Sequence, residues 1–256
     1  FVRRSGQGLL GQSEELDEML SKVLSLEMQE GIVARIADDL YIGGSSPFET
    51  AKNYEKVISK LHNANLKVSS EKTKVFLDSV DILGWLWKKG GYLSPSPHRI
   101  NALKNTTHEN IKCVKDLRSW LGLFKTMMTA TPNLTLVLDP FDKLVADKAS
   151  NDTIEWDESL RISFNKAKES VDTMQTLYLP DPNDQLLIVV DGAKVPPGIG
   201  HVLYAVKNNQ KLPVSYHSNK LSDTHSKWHS CEIEALAFAT SITSEYNILK
   251  ESKKPI

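Results

Sequence analysis

Two short apolar segments, I32-V-A-R-I36 and L40-Y-I42, are separated by only Ala37, Asp38 and Asp39. A gap that short turns the chain back on itself as a hairpin. Tight hairpin tips favour Asn-Gly, Asp-Gly or Gly-Gly, because their turn residues take a positive φ that small or Asx residues tolerate best. Two adjacent aspartates make a poor turn and repel each other. They are either a solvated acidic loop or the cradle of a cation.

On either side of this ribbon the apolar pattern changes character twice. Residues 13–30 carry Leu16, Met19, Leu20, Val23, Leu24 and Met28 at helical spacing, with Ser13, Glu14 and Glu15 as cap and acidic first turn and Gly31 as terminator. After G43-G-S-S-P47, residues 47–64 predict a helix with Phe48, Ala51, Tyr54, Val57, Ile58 and Leu61 on one face. Strands are expected at 66–68, 75–77 and 82–87, the last joined through K88-K-G-G91 to Tyr92 and Leu93 as a hairpin. Beyond S94-P-S-P97 the chain reads as helices at 98–104, 114–128 and 159–171, with a polar loop at 146–152. A third character begins near Leu177: a turn at P180-D-P-N-D184, strands at 186–190, 200–206 and 212–217, and a helix at 231–243. This order describes an α+β chain without internal repeats.

Composition narrows the function classes. Lys plus Arg total 31 against 32 Asp plus Glu, a formal net charge of -1, so any nucleic-acid contact must come from a local patch and not a global basic field. Cys113 and Cys231 give neither a disulfide framework nor a zinc spacing, and both are expected to pack singly or lie exposed in a reducing compartment. No apolar run has the length of a membrane span and the first residues lack a signal-peptide core, which predicts an intracellular protein without a membrane partner. The sequons at Asn105, Asn133 and Asn151 are then chance matches. The missing initiator methionine and the ending E-S-K-K-P-I suggest a piece cut from a longer chain.

The order Q7-G-L-L, I36-A-D-D, L66-K-V-S-S-E-K72, I82-L-G-W-L-W, V114-K-D-L-R-S-W-L-G-L-F resembles the reverse transcriptase of gypsy-type LTR retrotransposon Pol polyproteins. L179-P-D-P, V190-D-G-A, G198-I-G-H-V-L-Y, P213-V-S-Y-H-S-N-K-L and E232-I-E-A-L-A resemble the ribonuclease H domain that follows it. The resemblance implies a partial palm over residues 1–93, a helical thumb over 94–175 and the N-terminal part of an RNase H-like mixed sheet with a helix over 176–256.

It also implies roles. Asp38 and Asp39 would hold Mg2+ or Mn2+ for phosphoryl transfer, hard carboxylate oxygens being what such ions bind; a third palm aspartate is expected upstream of Phe1. Ile36 stands where the family usually has an aromatic residue, which bears on nucleotide handling more than on the metal site. Gln7 and Gly8 match a template- and nucleotide-contacting element. Lys72 matches a lysine near the leaving pyrophosphate, or is a plain surface lysine. Leu83, Gly84 and Trp85 match the primer-grip hairpin; alternatively Trp85 and Trp87 divide between core and solvent. Lys112, Lys115 and Arg118, with Lys125 nearby, would contact phosphates, or form a solvated helix face. Asp191 and Glu234 would share a metal in the nuclease part, with Glu232 as the rival and the remaining carboxylates expected after Ile256.

The activity implied is RNA-directed DNA polymerisation coupled to ribonuclease H, acting on an RNA template, a DNA primer, dNTP and the RNA/DNA hybrid. Protease and integrase segments would accompany it in a polyprotein, in a cytoplasmic retroelement particle or the nucleus. The alternative is an inactive or domesticated relic that keeps only a nucleic-acid-binding fold.

Overall fold

A computed structural model describes residues 12–256, and the chain divides between Leu77 and Asp78 into two compact units. The first begins with helix α1 (Gln12–Val23), whose expected continuation to residue 30 is interrupted at the buried Leu24 before helix α2 (Ser25–Gln29). Strands β1 (Val33–Ile36) and β2 (Asp39–Ile42) form an antiparallel ribbon, and helix α3 (Pro47–Asn63) follows. The Ser46 hydroxyl caps α3 by accepting from the Glu49 N–H, and Pro47 fits its first turn.

The buried face of α3 is narrower than its apolar pattern suggests. Asn53, Val57 and Leu61 are buried, whereas Phe48 is 82% exposed. Asn53 Nδ2 donates to the Gly43 carbonyl at 2.8 Å, which ties the helix to the end of the ribbon. Leu20, Leu24, Val33, Val57 and Leu61 form the core of this unit. Glu27 is buried beside it and pairs with Lys60 at 2.8 Å and Lys56 at 3.2 Å. Burial works against its charge, but hydrogen bonds from Lys60, its own backbone and Lys56 outweigh that and hold its carboxyl below the usual range.

The strands expected at 66–68 and 75–77 do not form; both segments are irregular. Val68, Val75, Phe76 and Leu77 are all exposed, and Phe76 takes a φ of 52°, a left-handed conformation that no ladder accommodates. Their apolar side chains gave these segments strand character, but none of them enters a sheet.

The second unit opens with a meander of β3 (Ser79–Ile82), β4 (Trp85–Lys88) and β5 (Tyr92–Pro95). The single strand expected over 82–87 is therefore broken: Leu83 and Gly84, with φ of 52° and 78°, make a two-residue turn. Trp85 and Trp87 sit two residues apart on one strand and so share one face of β4. Both remain partly exposed, so the division between core and solvent does not occur.

Helices α4 (Pro97–Asn105), α5 (Val114–Lys125), α6 (Leu134–Val145) and α7 (Glu158–Ser170) follow. Helix α6 was not expected from the sequence. Pro140 interrupts its hydrogen-bond ladder, yet Leu134, Leu138 and Phe141 bury a face against α5 and α7. Trp120 and Phe164 stack at the centre of this helical core, with ring centroids 4.6 Å apart.

Strand β6 (Leu177–Tyr178) returns to pair with β5, so residues C-terminal to the helices complete the first sheet. The boundary expected at 93/94 falls within strand β5 of this unit. A second sheet contains β7 (Gln185–Lys194), β8 (Pro197–Lys207) and β9 (Gln210–Lys220), longer than the sequence indicated, with a bulge at Leu203/Tyr204. Helix α8 (Ser230–Ser244) packs on this sheet and turns into α9 (Tyr246–Leu249).

Candidate functional site

The ribbon of the first unit turns in two residues. Ile36 pairs with Asp39, leaving Ala37 and Asp38 as the tip, and Ala37 carries the positive φ of 50° that a glycine would usually take. A non-glycine residue in that region costs on the order of 1–2 kcal/mol. The two aspartates are therefore not equivalent: Asp38 belongs to the turn and Asp39 to the strand. Both are exposed. Asp38 lines an open hollow with Glu14, Asp17 and Arg35, in which Arg35 pairs with Asp17. Exposed carboxylate oxygens at a short ribbon's tip suit a hard divalent ion that keeps several waters.

Of the other residues singled out in the first unit, Gln7 and Gly8 lie outside the described residues. Lys72 is exposed in the irregular segment after α3, next to a turn in which the Thr73 N–H donates to the Ser69 carbonyl.

In the second unit, Leu83 and Gly84 form the β3–β4 turn, with Leu83 66% exposed. Gly84 is roofed by Arg99: a Cβ there would lie 1.8 Å from its Nε. The Ser96 N–H also donates to the Gly84 carbonyl at 3.0 Å. This turn is thus held from α4, with an apolar side chain presented at its tip and Trp85 just behind.

The expected basic face is divided by its own contacts. Lys112 precedes α5, and Lys112 and Lys115 are exposed. Arg118 Nη2 instead donates to the carbonyls of Val145 and Lys148 at 2.9 and 2.8 Å, fastening the end of α6 and the loop after it. Lys125 pairs with Asp142 at 2.6 Å. Arg118 therefore has a structural task whatever else it touches.

Asp191 and Glu234 lie on elements that touch. A Cβ on Gly192 would come within 2.9 Å of Ile233 Cγ2 and 3.2 Å of the Glu234 nitrogen, so the glycine is what lets α8 settle onto β7. Asp191 comes one residue earlier and points to the opposite face of β7, but β7 is an edge strand of its sheet. Both carboxylates are exposed. Glu232, the rival, accepts the His229 N–H at 2.8 Å in the capping box of α8, a helix-start role that leaves Glu234 as the freer carboxylate.

Among the described residues, the one group of three metal-capable side chains with converging ligand atoms contains none of these carboxylates. It is His201, His217 and Glu245. Sequence reasoning passed over it because its members stand 16 and 28 residues apart, and only the pairing of His201 with His217 across β8 and β9 brings them together.

Residues 156–256 match the family model described as the RNase H-like domain found in reverse transcriptase. The chain is 24% identical over 228 residues to the retrovirus-related Pol polyprotein from transposon gypsy of Drosophila melanogaster, covering 85% of this chain and 21% of that protein. It is 24% identical over 230 residues to the Transposon Tf2-3 polyprotein of Schizosaccharomyces pombe, covering 90% of this chain and 17% of that protein. It thus spans about a fifth of the length of these relatives.

Among solved structures, a foamy viral protease-reverse transcriptase dRH in complex with double-stranded DNA shares the fold, with a TM-score of 0.82 and 21% identity over 99% of this chain and 42% of that one. The foamy viral protease-reverse transcriptase in complex with an RNA/DNA hybrid gives a TM-score of 0.77 at 21% identity, over 96% of this chain and 32% of that one. Residues 156–256 are therefore similar to the RNase H-like domains found in reverse transcriptase, in a chain similar along most of its length to the Pol polyproteins of gypsy and Tf2 retrotransposons.

Proposed function

We propose that this chain is part of an RNA-directed DNA polymerase with an associated ribonuclease H, encoded within a retroelement Pol polyprotein. The observation that carries this reading is the two-residue tip of the β1–β2 ribbon, which exposes Asp38 and Asp39 side by side in a chain with Pol homologues. The ribbon donor set fits the implied metal: Asp38 and Asp39 are both exposed, and their hard oxygens match Mg2+ or Mn2+. A divalent ion bound there would neutralise charge on the phosphoryl group in transfer.

The residues would divide the work as follows. Asp38 and Asp39 hold the cation that faces the incoming dNTP, and Lys72 offers positive charge to the leaving pyrophosphate. Leu83, Gly84 and Trp85 present a primer-end contact from a turn clamped by Arg99, while Lys112 and Lys115 meet backbone phosphates. Asp191 and Glu234 hold a cation against the RNA strand of a hybrid. Support for a nucleic-acid partner comes from the fold neighbours, which are protease-reverse transcriptases in complex with double-stranded DNA or an RNA/DNA hybrid. The site of action would be a cytoplasmic particle or the nucleus, with protease and integrase segments in the same polyprotein.

The test is primer extension on an RNA template by the Pol polyprotein that contains this chain. Asp38→Asn abolishes magnesium-dependent extension while leaving hybrid binding intact; unchanged extension refutes the metal assignment. The second reading, a nucleic-acid-binding relic, draws on the two-carboxylate count at each site, since no third ligand converges on either among the described residues. Hybrid binding without extension in the unaltered polyprotein selects it.

A further inference from the structure

The cluster of His201, His217 and Glu245 has no part in the proposed reaction. His201 lies on β8 and His217 directly opposite on β9, with the two rings stacked at 4.6 Å between centroids and 13° between planes. Glu245 stands where α8 ends and α9 begins, on the face of the sheet that α8 covers. Its Oε1 lies 3.2 Å from the Nε2 of His201 and 3.2 Å from the Nε2 of His217. The Ser215 hydroxyl donates to the same oxygen, and the Ser244 hydroxyl lies 3.3 Å from His201 Nε2.

These distances admit two descriptions. As hydrogen bonds, 3.2 Å is at the long limit, where N–H···O bonds centre near about 2.9–3.0 Å and charge-assisted ones are shorter. As the edges of a coordination tetrahedron they fall near expectation: bonds of about 2.0–2.1 Å to nitrogen and oxygen set ligand atoms about 3.3 Å apart. All three ligand atoms lie within 4.8 Å of one another. The side chains of His201 and Glu245 are only 3% exposed, so an ion there would be held by buried donors, and His217 at 26% exposure leaves a way in.

Donor chemistry favours coordination. A carboxylate and two stacked imidazoles offer the mixed N/O donor set of a borderline cation, whereas magnesium prefers oxygen alone.

We propose that His201, His217 and Glu245 bind one transition-metal ion of the zinc type, clamping the α8–α9 junction to strands β8 and β9. Three protein ligands leave the fourth position open to water. The ion ties the turn between the helices to the middle of the sheet, so it stabilises the second unit.

The test uses the full 256-residue chain, stripped of metal by a chelator and titrated with cobalt(II) and then zinc in the presence of millimolar magnesium. Cobalt produces the visible d–d bands of a four-coordinate site at one equivalent, zinc abolishes them, and zinc raises the thermal midpoint of the tryptophan-reported unit. His217→Gln, at the partly exposed ligand, keeps its metal-free midpoint near that of the unaltered chain and weakens cobalt binding at least about a hundredfold, since loss of even an outer partner of a metal ligand costs 10–100-fold. Cys231→Ser removes an exposed free thiol and leaves binding unchanged. The proposal is overturned if the unaltered chain shows no saturable cobalt site, if His217→Gln binds equally well, if magnesium displaces the ion, or if Cys231→Ser abolishes binding. Failure of primer extension would leave this outcome untouched, and failure here would leave the polymerase reading standing.

Discussion

Gly192→Ala tests whether a single missing side chain sets the position of α8 against β7. The added carbon would sit 2.9 Å from Ile233 Cγ2 and 3.2 Å from both the Ile233 carbonyl carbon and the Glu234 nitrogen. Carbon contacts are optimal near about 3.5–4.0 Å, so either the fully buried Ile233 leaves its rotamer or the helix backs away by a few tenths of an ångström. Overpacking of this kind costs about 1–3 kcal/mol. The stiffer unfolded chain of an alanine variant returns roughly 0.4–1 kcal/mol. At the middle of these ranges a net loss of about 1.3 kcal/mol remains, which in a unit of this size lowers the thermal midpoint by about 3–5 °C.

The assay is unusually clean, because all five tryptophans, Trp85, Trp87, Trp120, Trp156 and Trp228, lie in the second unit. Their fluorescence reports its unfolding alone. Gly122→Ala supplies the opposite case: Gly122 is an exposed interior residue of α5 with nothing within 4 Å of a Cβ, so alanine there raises stability by up to about 1 kcal/mol. An unchanged or raised midpoint for Gly192→Ala would refute the close-approach argument.

Glu27→Gln destabilises the first unit by about 1–3 kcal/mol at neutral pH, because two lysines lose a buried partner. The folded carboxyl is held below its usual range, so its contribution is fully present above the unfolded carboxylate pKa and fades as pH falls through the folded value. The gap between the two proteins, read from hydrogen exchange of α3 amides, therefore closes on acidification; a gap that widens would contradict the sign. Arg118→Ala lowers the tryptophan-reported stability by about 1 kcal/mol through loss of its bonds to the Val145 and Lys148 carbonyls. A loss of hybrid affinity without any loss of stability would show that Arg118 serves phosphates and not the fold.

Much of the secondary structure was legible because burial periodicity and cap residues are local. Ser46, Pro47 and the spacing to Leu61 announce α3, and the apolar stripe of Leu117, Trp120, Leu121 and Phe124 announces α5, whose members are all buried. Local signals failed where the outcome depended on a neighbour. Helix α6 was not expected, yet burial of Leu134, Leu138 and Phe141 outweighs the one backbone bond lost at Pro140. Residues 75–77 looked like a strand and found no ladder, and Leu83-Gly84 proved to be a turn inside what read as one strand.

By itself the sequence determined the short acidic ribbon, since a gap of three residues between apolar segments leaves the backbone almost no other course. It also carried the resemblance to Pol polyproteins, which rests on the order of motifs along the chain. Tertiary structure alone decided which polar groups are free to act. Arg118 turned out to be engaged with two carbonyls and Glu232 with a helix start, and Gly192 became the contact that brings α8 down beside Asp191. The meeting of His201, His217 and Glu245 was equally invisible in one dimension, because strand register and a helix junction, not sequence spacing, set the distances between their ligand atoms.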